Sequence, residues 1–136
     1  MNRRNPVFPP NRHALYAQHR YSPALRSNGF LFVSGQVGSR EDGSPEPDPV
    51  EQVRLAFRNL DAILRVAGAS FDDVVDVTMM MLDPEQQLDT VLAVMPEFWG
   101  EAPHPTLTAM GVTWLAGFSF EIKVIVKLPD GAPDAQ

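Results

Sequence analysis

The clearest pattern in the chain is an alternation of apolar and polar residues close to its C-terminal end. Between residues 118 and 127 the even-numbered positions are apolar, whereas Ser119, Glu121, Lys123 and Lys127 are polar. Successive side chains of a strand point to opposite faces, so this pattern predicts a strand with one buried face. The other face is expected to be solvated or to line a cleft. Glu121 is the carboxylate of this run, and we take it as the first candidate for chemistry.

Two segments carry the signals of amphipathic helices. The first begins at Asp48–Pro49, where a capping acid precedes a proline at the first helical position, and Gly68 marks its expected end. Its apolar residues recur at helical spacing, at Val53, Phe57, Leu60, Leu64 and Ala67. The second begins at Asp83–Pro84 and is expected to kink or end at Pro96.

The remaining regular segments have the composition of strands. Residues 29–37 and 73–82 carry apolar side chains on both faces, as strands covered on both sides do. Residues 106–114 and 118–127 are separated by a short link and are predicted to form an antiparallel hairpin. This order predicts an α+β fold, a mixed β-sheet with two helices packed on one face. Because the helices cover only one face, we expect the other to meet another copy of the chain.

Length and composition limit the class of protein. A chain of 136 residues, 44% of them hydrophobic, predicts a single domain over residues 1–136. Residues 1–20 contain prolines without periodicity and are expected to form an extended leader, and residues 128–136 a flexible tail. There is no cysteine, no apolar run long enough to span a membrane and no signal-peptide core. We therefore expect a cytoplasmic protein that does not bind membranes.

The charge of the chain bears on its partners. A formal net charge of -6 does not favour a broad phosphate-binding surface, so nucleic acid is not an expected partner. Arg3, Arg4, Arg12 and Arg20 are concentrated near the N-terminus. We expect these arginines to form a solvated basic arm.

The motifs of the common enzyme classes are missing from the sequence. It has no phosphate-binding loop, no dinucleotide-binding glycine pattern, no zinc-protease motif and no serine-hydrolase elbow. His13, His19 and His104 lack the spacing of metal ligands, so we expect neither a metal site nor a cofactor. Ser34–Gly35 directly follows an apolar strand, where a glycine indicates either a β-bulge or the close approach of a ligand or backbone. Glu121 is either a solvated strand residue, alone or in an ion pair, or a functional acid.

Several short segments between residues 21 and 127 match the sequence motifs of one known family. They are Tyr21–Arg26 (YSPALR), Leu31–Val37 (LFVSGQV), Asn59–Leu60, Ala67–Gly68, Asp73–Val75, Pro105–Val112 (PTLTAMGV) and Glu121–Ile122. With these segments the chain resembles the YjgF/RidA family, the reactive-intermediate deaminases, also described as L-PSP endoribonuclease-like proteins. Residues 37–43 and 111–117 are most similar to the YjgH-type branch.

The resemblance implies a chorismate-mutase-like fold that assembles as a homotrimer, with a central barrel and with clefts for a small-molecule ligand between subunits. In such clefts the deaminases of the family hydrolyse enamines and imines to 2-oxo acids and ammonia. Carried over to this sequence, the resemblance implies that Glu121 positions the attacking water and that Ala109 presents a main-chain carbonyl. It also implies that Tyr21, Ser34 and Gly35 line the cleft.

Two positions depart from the family pattern. Leu107 stands where the family has an arginine that binds the substrate carboxylate, and Leu92 stands where it has an asparagine. Leucine cannot replace the two charge-assisted hydrogen bonds of a guanidinium, so the usual 2-imino acids are not expected as substrates. The expected substrate-binding residues include Leu92, Leu107, Thr108 and Trp114, and such a cleft suits a less charged or aromatic ligand.

Three functions therefore remain open at the level of sequence. The first is a deaminase that hydrolyses an imine or enamine-type intermediate with Glu121 directing water. The second is a non-catalytic module that senses a metabolite or binds a partner, which the missing arginine favours. The third is an endoribonuclease or translation inhibitor, which the net charge does not favour. The sequence also leaves open whether Arg26, Arg40 or a residue of a neighbouring subunit replaces the missing arginine.

Overall fold

One mixed β-sheet organises the chain. The computed structural model describes residues 4–10 and 13–130. Its strands are β1 (Asn5–Val7), β2 (Ala24–Ser27), β3 (Phe30–Val33), β4 (Gln36–Val37), β5 (Val74–Met81), β6 (Thr106–Gly111) and β7 (Phe120–Lys127). They follow the order β1-β2-β3-β7-β5-β6, with β4 also paired to β7, and the β5–β6 pair is parallel. The helices are α1 (His13–His19), α2 (Pro49–Val66) and α3 (Pro84–Trp99), with a short 3₁₀ helix at Phe71–Asp73.

Helix α2 forms where its cap and apolar stripe predict it. The side chain of Asp48 accepts a hydrogen bond from the backbone N–H of Glu51 at 2.9 Å, and Pro49 opens the first turn. After the helix ends at Val66, Gly68 adopts a left-handed conformation with φ of 81°. The buried stripe faces the sheet and includes Val53, Ala56, Phe57, Leu60, Ile63 and Leu64.

Helix α3 begins at the predicted Asp83–Pro84 signal but does not end at Pro96. It continues to Trp99, and Pro96 lies on its exposed side, where solvent can satisfy the carbonyl that the proline leaves without a donor. The last turn is instead stabilised by aromatic packing. Phe98 stacks on Phe57 with ring centroids 5.3 Å apart, and Trp99 lies 4.7 Å from Phe71.

The core lies between α2, α3 and one face of the sheet. On β7 the predicted apolar face is buried and includes Phe120, Ile122, Val124 and Val126. Phe57 of α2 stacks on Phe120 at 5.9 Å, which joins the helix layer to the sheet. The predicted α+β fold, with its two long helices on one face of a mixed sheet, is confirmed. We call the opposite face, which carries Glu121 and Lys123, the open face.

Buried Gln52 fixes the start of β7 to the segment before α2. Its Oε1 accepts hydrogen bonds from the backbone N–H of Ser119 at 2.8 Å and from the Ser119 hydroxyl at 2.9 Å. Its Nε2 donates to the carbonyl of Glu46 at 2.9 Å. One side chain therefore positions the strand that carries Glu121.

The predicted hairpin of residues 106–114 and 118–127 is wrong. Strands β6 and β7 do not pair with each other, because β5 lies between them and pairs with both. The alternating eight-residue β5 offers two edges, and residues 112–119 form a loop that crosses its end, with positive φ at Ala116 and Gly117. The backbone N–H of Leu82 donates to the carbonyl of Ser119 at 3.0 Å, which closes this crossing.

The segment expected as an extended leader contains regular structure. Strand β1 pairs with β2, and helix α1 lies further along the chain, so residues 4–10 and 13–20 are not a simple extended arm. Residues 1–3 and 11–12 lie outside the described residues, as do residues 131–136 of the expected flexible tail. Of the helices in the described part of the chain, none combines the length and apolar composition that a bilayer crossing requires.

Candidate functional site

The residues predicted as one strand, 29–37, form two strands separated at Ser34–Gly35. Phe32 of β3 is in register with Ile125, and Gln36 of β4 is in register with Ile122. Three residues, 33–35, therefore lie opposite two residues of β7, which is the geometry of a β-bulge. The Ser34 hydroxyl donates to the carbonyl of Ser22 at 2.7 Å, which ties the bulge to the segment before β2.

Gly35 lies against the side chain of Glu121. A methyl group built on Gly35 would overlap Oε2 of Glu121 and lie 2.6 Å from its Cδ. The close approach at Ser34–Gly35 that the sequence indicated is therefore to Glu121, and it occurs together with the bulge. Any larger residue at this position displaces the carboxyl group or the backbone.

Burial and neighbouring charge set the electrostatics of Glu121. Burial raises the pKa of Glu121 above the ordinary value of 4.5, and the Lys123 ammonium partly opposes this rise. Burial also raises the pKa of Tyr21, with further contributions from Tyr16 and from the charge of Glu121. Tyr21 and Glu121 are thus close enough to interact. A carboxyl group with a raised pKa is a suitable general base or acid near neutral pH.

A cavity of about 620 Å³ opens on the same side of the sheet. Tyr21, Ser34 and Lys123 are among its lining residues, so three elements far apart in sequence meet there. The ring of Tyr21 is held edge-on against Tyr16 of α1, with centroids 4.9 Å apart. The structure therefore brings together four of the predicted site residues, which are Tyr21, Ser34, Gly35 and Glu121.

Tyr21 and Ser34 line the cavity itself, Gly35 and Glu121 lie next to it without lining it, and the other predicted site residues lie elsewhere. Leu107 and Ala109 of β6 are in register with Val77 and Met79, whose side chains belong to the buried face of the sheet. Leu107 is 46% exposed, at the edge of the sheet and on the opposite side from Glu121. Thr108 faces the open side in register with Thr78, two strands away from β7.

Leu92 and Trp114 also lie outside the cavity. Leu92 is exposed on α3, and Trp114 is 75% exposed in the loop before β7. The two residues considered as replacements for the missing arginine do not line the cavity either. Arg26 is buried on the core face in register with Leu31, and Arg40 pairs with Glu46 at 3.5 Å.

Sequence reasoning missed the cations that do line the cavity, Arg4, Arg20 and Lys123. Arg4 and Arg20 were expected in a solvated arm, and only the pairing of β1 with β2 shows that their segment lies beside the sheet. For Lys123 a signal did exist, because the two-residue period of β7 places it on the face of Glu121. In the part of the chain that the structure describes, no three His, Asp or Glu residues are grouped so that they could hold a metal ion.

Comparison with known proteins agrees with this architecture. A family model described as endoribonuclease L-PSP matches residues 11–128, and a Rid-family protein of Yersinia pestis, YyfA, has a similar solved structure. That structure has a TM-score of 0.75 and 30% identity, and the match covers 79% of this chain and 87% of the other. The chain belongs to the L-PSP endoribonuclease-like family, also called the YjgF or Rid family, and the expected resemblance is confirmed.

Individual members of the family differ in how much sequence they share with this chain. The RutC family protein YjgH of Escherichia coli is 59% identical over 130 residues, which are 96% of this chain and 99% of that protein. A solved structure of protein YjgH superposes with a TM-score of 0.89 over 95% of this chain and 99% of the other. A more distant mouse relative, named 2-iminobutanoate/2-iminopropanoate deaminase, is 37% identical over 65 residues, 46% of this chain and 48% of that protein.

We predict that Gly35→Ala destabilises the protein mainly through Glu121. The added methyl group overlaps the carboxyl group, which must move aside, so we expect a loss of about 1 kcal/mol of unfolding free energy, the lower end of the usual cost of overpacking. In a Glu121→Ala background the cost should largely disappear, which a double-mutant cycle measured by urea unfolding will show. A cycle with Lys127→Ala is the control and should be additive. If Gly35→Ala destabilises the protein equally in the parent and in the Glu121→Ala background, the effect does not act through the contact with Glu121.

We also predict that Glu121→Gln stabilises the protein at pH 7 and not in acid. With its pKa raised by folding, Glu121 holds its proton more tightly in the folded state. The unfolding free energy of the parent therefore falls as pH rises from about 4.5 to the folded-state pKa, and then stays level. The melting temperature of Glu121→Gln should exceed that of the parent at pH 7 and match it near pH 4. Glu101→Gln, at an exposed site, is the control; a gain that persists unchanged at pH 4 argues against this electrostatic cause.

Proposed function

We propose that this protein hydrolyses an imine or enamine-type reactive intermediate and releases ammonia, with Glu121 directing the attacking water. The observation that carries the proposal is the half-buried carboxyl group of Glu121, packed on Gly35 beside Tyr21 and Lys123. An imine needs only water and a positioned acid–base group for this reaction. The name of the mouse relative, a deaminase of 2-imino acids, supports the same class of reaction.

The proposed reaction assigns one proton-transfer role to Glu121. Its carboxylate accepts a proton from water while the water oxygen bonds to the imine carbon. Glu121 returns this proton to the nitrogen, which gives a carbinolamine. The hydroxyl proton of the carbinolamine then moves to the amino group and the C–N bond breaks, so that imine and water become a carbonyl compound and ammonia. The raised pKa of Glu121 supports this role, because it makes the carboxylate a stronger base near neutral pH than an exposed one.

We propose that the substrate is not one of the usual 2-imino acids that need the β6 arginine. Leu107 occupies that position, and its side chain offers no hydrogen bond to a carboxylate. The same residue favours a second candidate, a non-catalytic module that senses a metabolite. A ligand that raises the melting temperature and is never turned over would favour this second candidate.

We further propose that the active form is a homotrimer with its ligand clefts between subunits. Within the described residues, β6 pairs on one edge only, with β5, and all six of its residues are exposed. The open face also exposes Met110, at 42%. Within one chain Leu107 and Glu121 are on opposite sides of the sheet, so a shared cleft requires a neighbouring copy.

If the protein is a deaminase, adding it should make ammonia release from imines faster than their spontaneous hydrolysis. The imines are generated in the assay by an amino-acid oxidase. A panel with aliphatic and aromatic side chains tests the substrate range. Glu121→Gln should lower kcat/KM by about 10²–10⁴-fold, the usual contribution of a general base. Lys127→Gln, on the same strand and face, should leave the rate unchanged. Ammonia release by Glu121→Gln at the parental rate would exclude the proposed role.

The trimer proposal predicts a particle of three times the mass of one chain. Met110→Glu places a charge on the exposed part of β6 and should dissociate the trimer, as sedimentation velocity will show. Val50→Glu is the matched control, because Val50 is similarly exposed but lies in the first turn of α2, where an acid is favourable. A parent that sediments as a single chain at micromolar concentration is incompatible with the trimer.

A further inference from the structure

The cavity beside Glu121 is strongly basic, although the chain as a whole is acidic. Arg4, Arg20 and Lys123 line it, and its described lining contains no acidic residue. The formal net charge of the chain is -6, so three cations in one cavity are a local departure from the overall balance. A concave wall lined by charges of one sign attracts ligands of the opposite sign.

Each cation is directed to the cavity by a different element. Lys123 is two residues after Glu121 on β7, which puts the two Cα atoms about 7 Å apart on the open face. Arg4 immediately precedes β1, which pairs with β2. Arg20 directly follows α1 in a left-handed conformation with φ of 62°, and the Tyr21 N–H donates to the Tyr16 carbonyl at 3.2 Å. Glycine adopts this conformation more readily, so the arginine side chain stands at a backbone position that does not favour it.

The floor of the cavity is apolar. Pro6 is in register with Leu25, and Leu25 with Phe32, so the three side chains form one row across β1, β2 and β3. All three line the cavity, and Phe32 is 45% exposed. The cavity therefore combines a cationic rim with an apolar and aromatic floor, and its volume of about 620 Å³ exceeds the need of a bare inorganic ion.

We propose that this cavity binds a small organic anion, with its carboxylate or phosphate group on Arg4, Arg20 and Lys123 and its apolar body on Phe32 and Leu25. The anion is thus held on the open face and not at Leu107. A ligand seated in this way lies beside Glu121 and Tyr21. The proposal that the cavity binds an anion does not depend on the deaminase function. The conclusion that the bound anion is the substrate does rest on that proposed function.

The test measures binding by calorimetry with ligands that differ only in charge or in the apolar body. Phenylpyruvate and phenyl phosphate carry the anion and an aromatic body, phenylacetone lacks the anion, and pyruvate lacks the body. We expect one of the two aromatic anions to bind at least about tenfold more tightly than phenylacetone and than pyruvate, since a charged hydrogen bond contributes that much. The tighter of the two identifies the anionic group as carboxylate or phosphate. Equal affinity for phenylacetone would overturn the proposal.

Variants assign the binding to the named cations. Arg20→Gln and Lys123→Gln should each weaken binding of the aromatic anion by about tenfold. Lys127→Gln and Arg65→Gln, exposed and outside the cavity, should not change the affinity, and melting temperatures will show that all variants fold. Phe32→Ser should weaken binding of the aromatic anion and leave pyruvate unaffected. Parental affinity in both Arg20→Gln and Lys123→Gln would overturn the assignment.

Binding and turnover are separated by Glu121→Gln. This variant removes a negative charge near the cavity, so it should bind the anion at least as tightly as the parent. Anion binding that depends on Arg20 and Lys123, without ammonia release from any imine, would support the cavity and refute the deaminase function. Ammonia release that depends on Glu121 but is unchanged by Arg20→Gln and Lys123→Gln would support the deaminase function and refute the proposal that the substrate is held by these cations.

Discussion

The contact between the Gly35 backbone and the Glu121 side chain is the constraint on which the site depends. Only a residue without a Cβ leaves room for the carboxyl group there. The same position interrupts the strand into β3 and β4, and the extra residue of the bulge turns Ser34 toward the segment before β2. Glu121 becomes half-buried as a result, and burial raises its pKa. Packing, strand geometry and acid strength thus have one common cause.

The parts of the fold that sequence predicts well are those whose local signals agree. Helix α2 has a capping acid, a proline at its start, an apolar stripe and a glycine after its end, and all four indicate the same limits. Strand β7 is equally clear, because its two-residue period matches one buried face. The failures concern long-range pairing. Nothing local in residues 106–127 reveals that β5 inserts between β6 and β7, and nothing local at Pro96 reveals the packing of Phe98 and Trp99.

The site is predictable to a similar extent. Glu121 stands out as an acid in an apolar strand, and Gly35 as a glycine after one, so the amino-acid sequence alone marks both as candidates. Arg4 and Arg20 do not stand out, because their positions depend on the pairing of β1 with β2 and on the end of α1. The identity of Leu107 shows that the expected arginine is missing, but the sequence does not reveal on which side of the sheet Leu107 lies. Its register with Val77 places it across the sheet from Glu121.

The acid and two of the cations come from opposite ends of the chain. Glu121 belongs to a central strand that is paired on both sides, whereas Arg4 and Arg20 belong to a peripheral segment joined to the sheet by the three-residue strand β1. Substitution of Arg4 or Arg20, both exposed, changes the charge of the cavity without removing a residue of the hydrophobic core. The charge of the cavity can therefore change among descendants of this chain while the central strand that carries Glu121 stays the same.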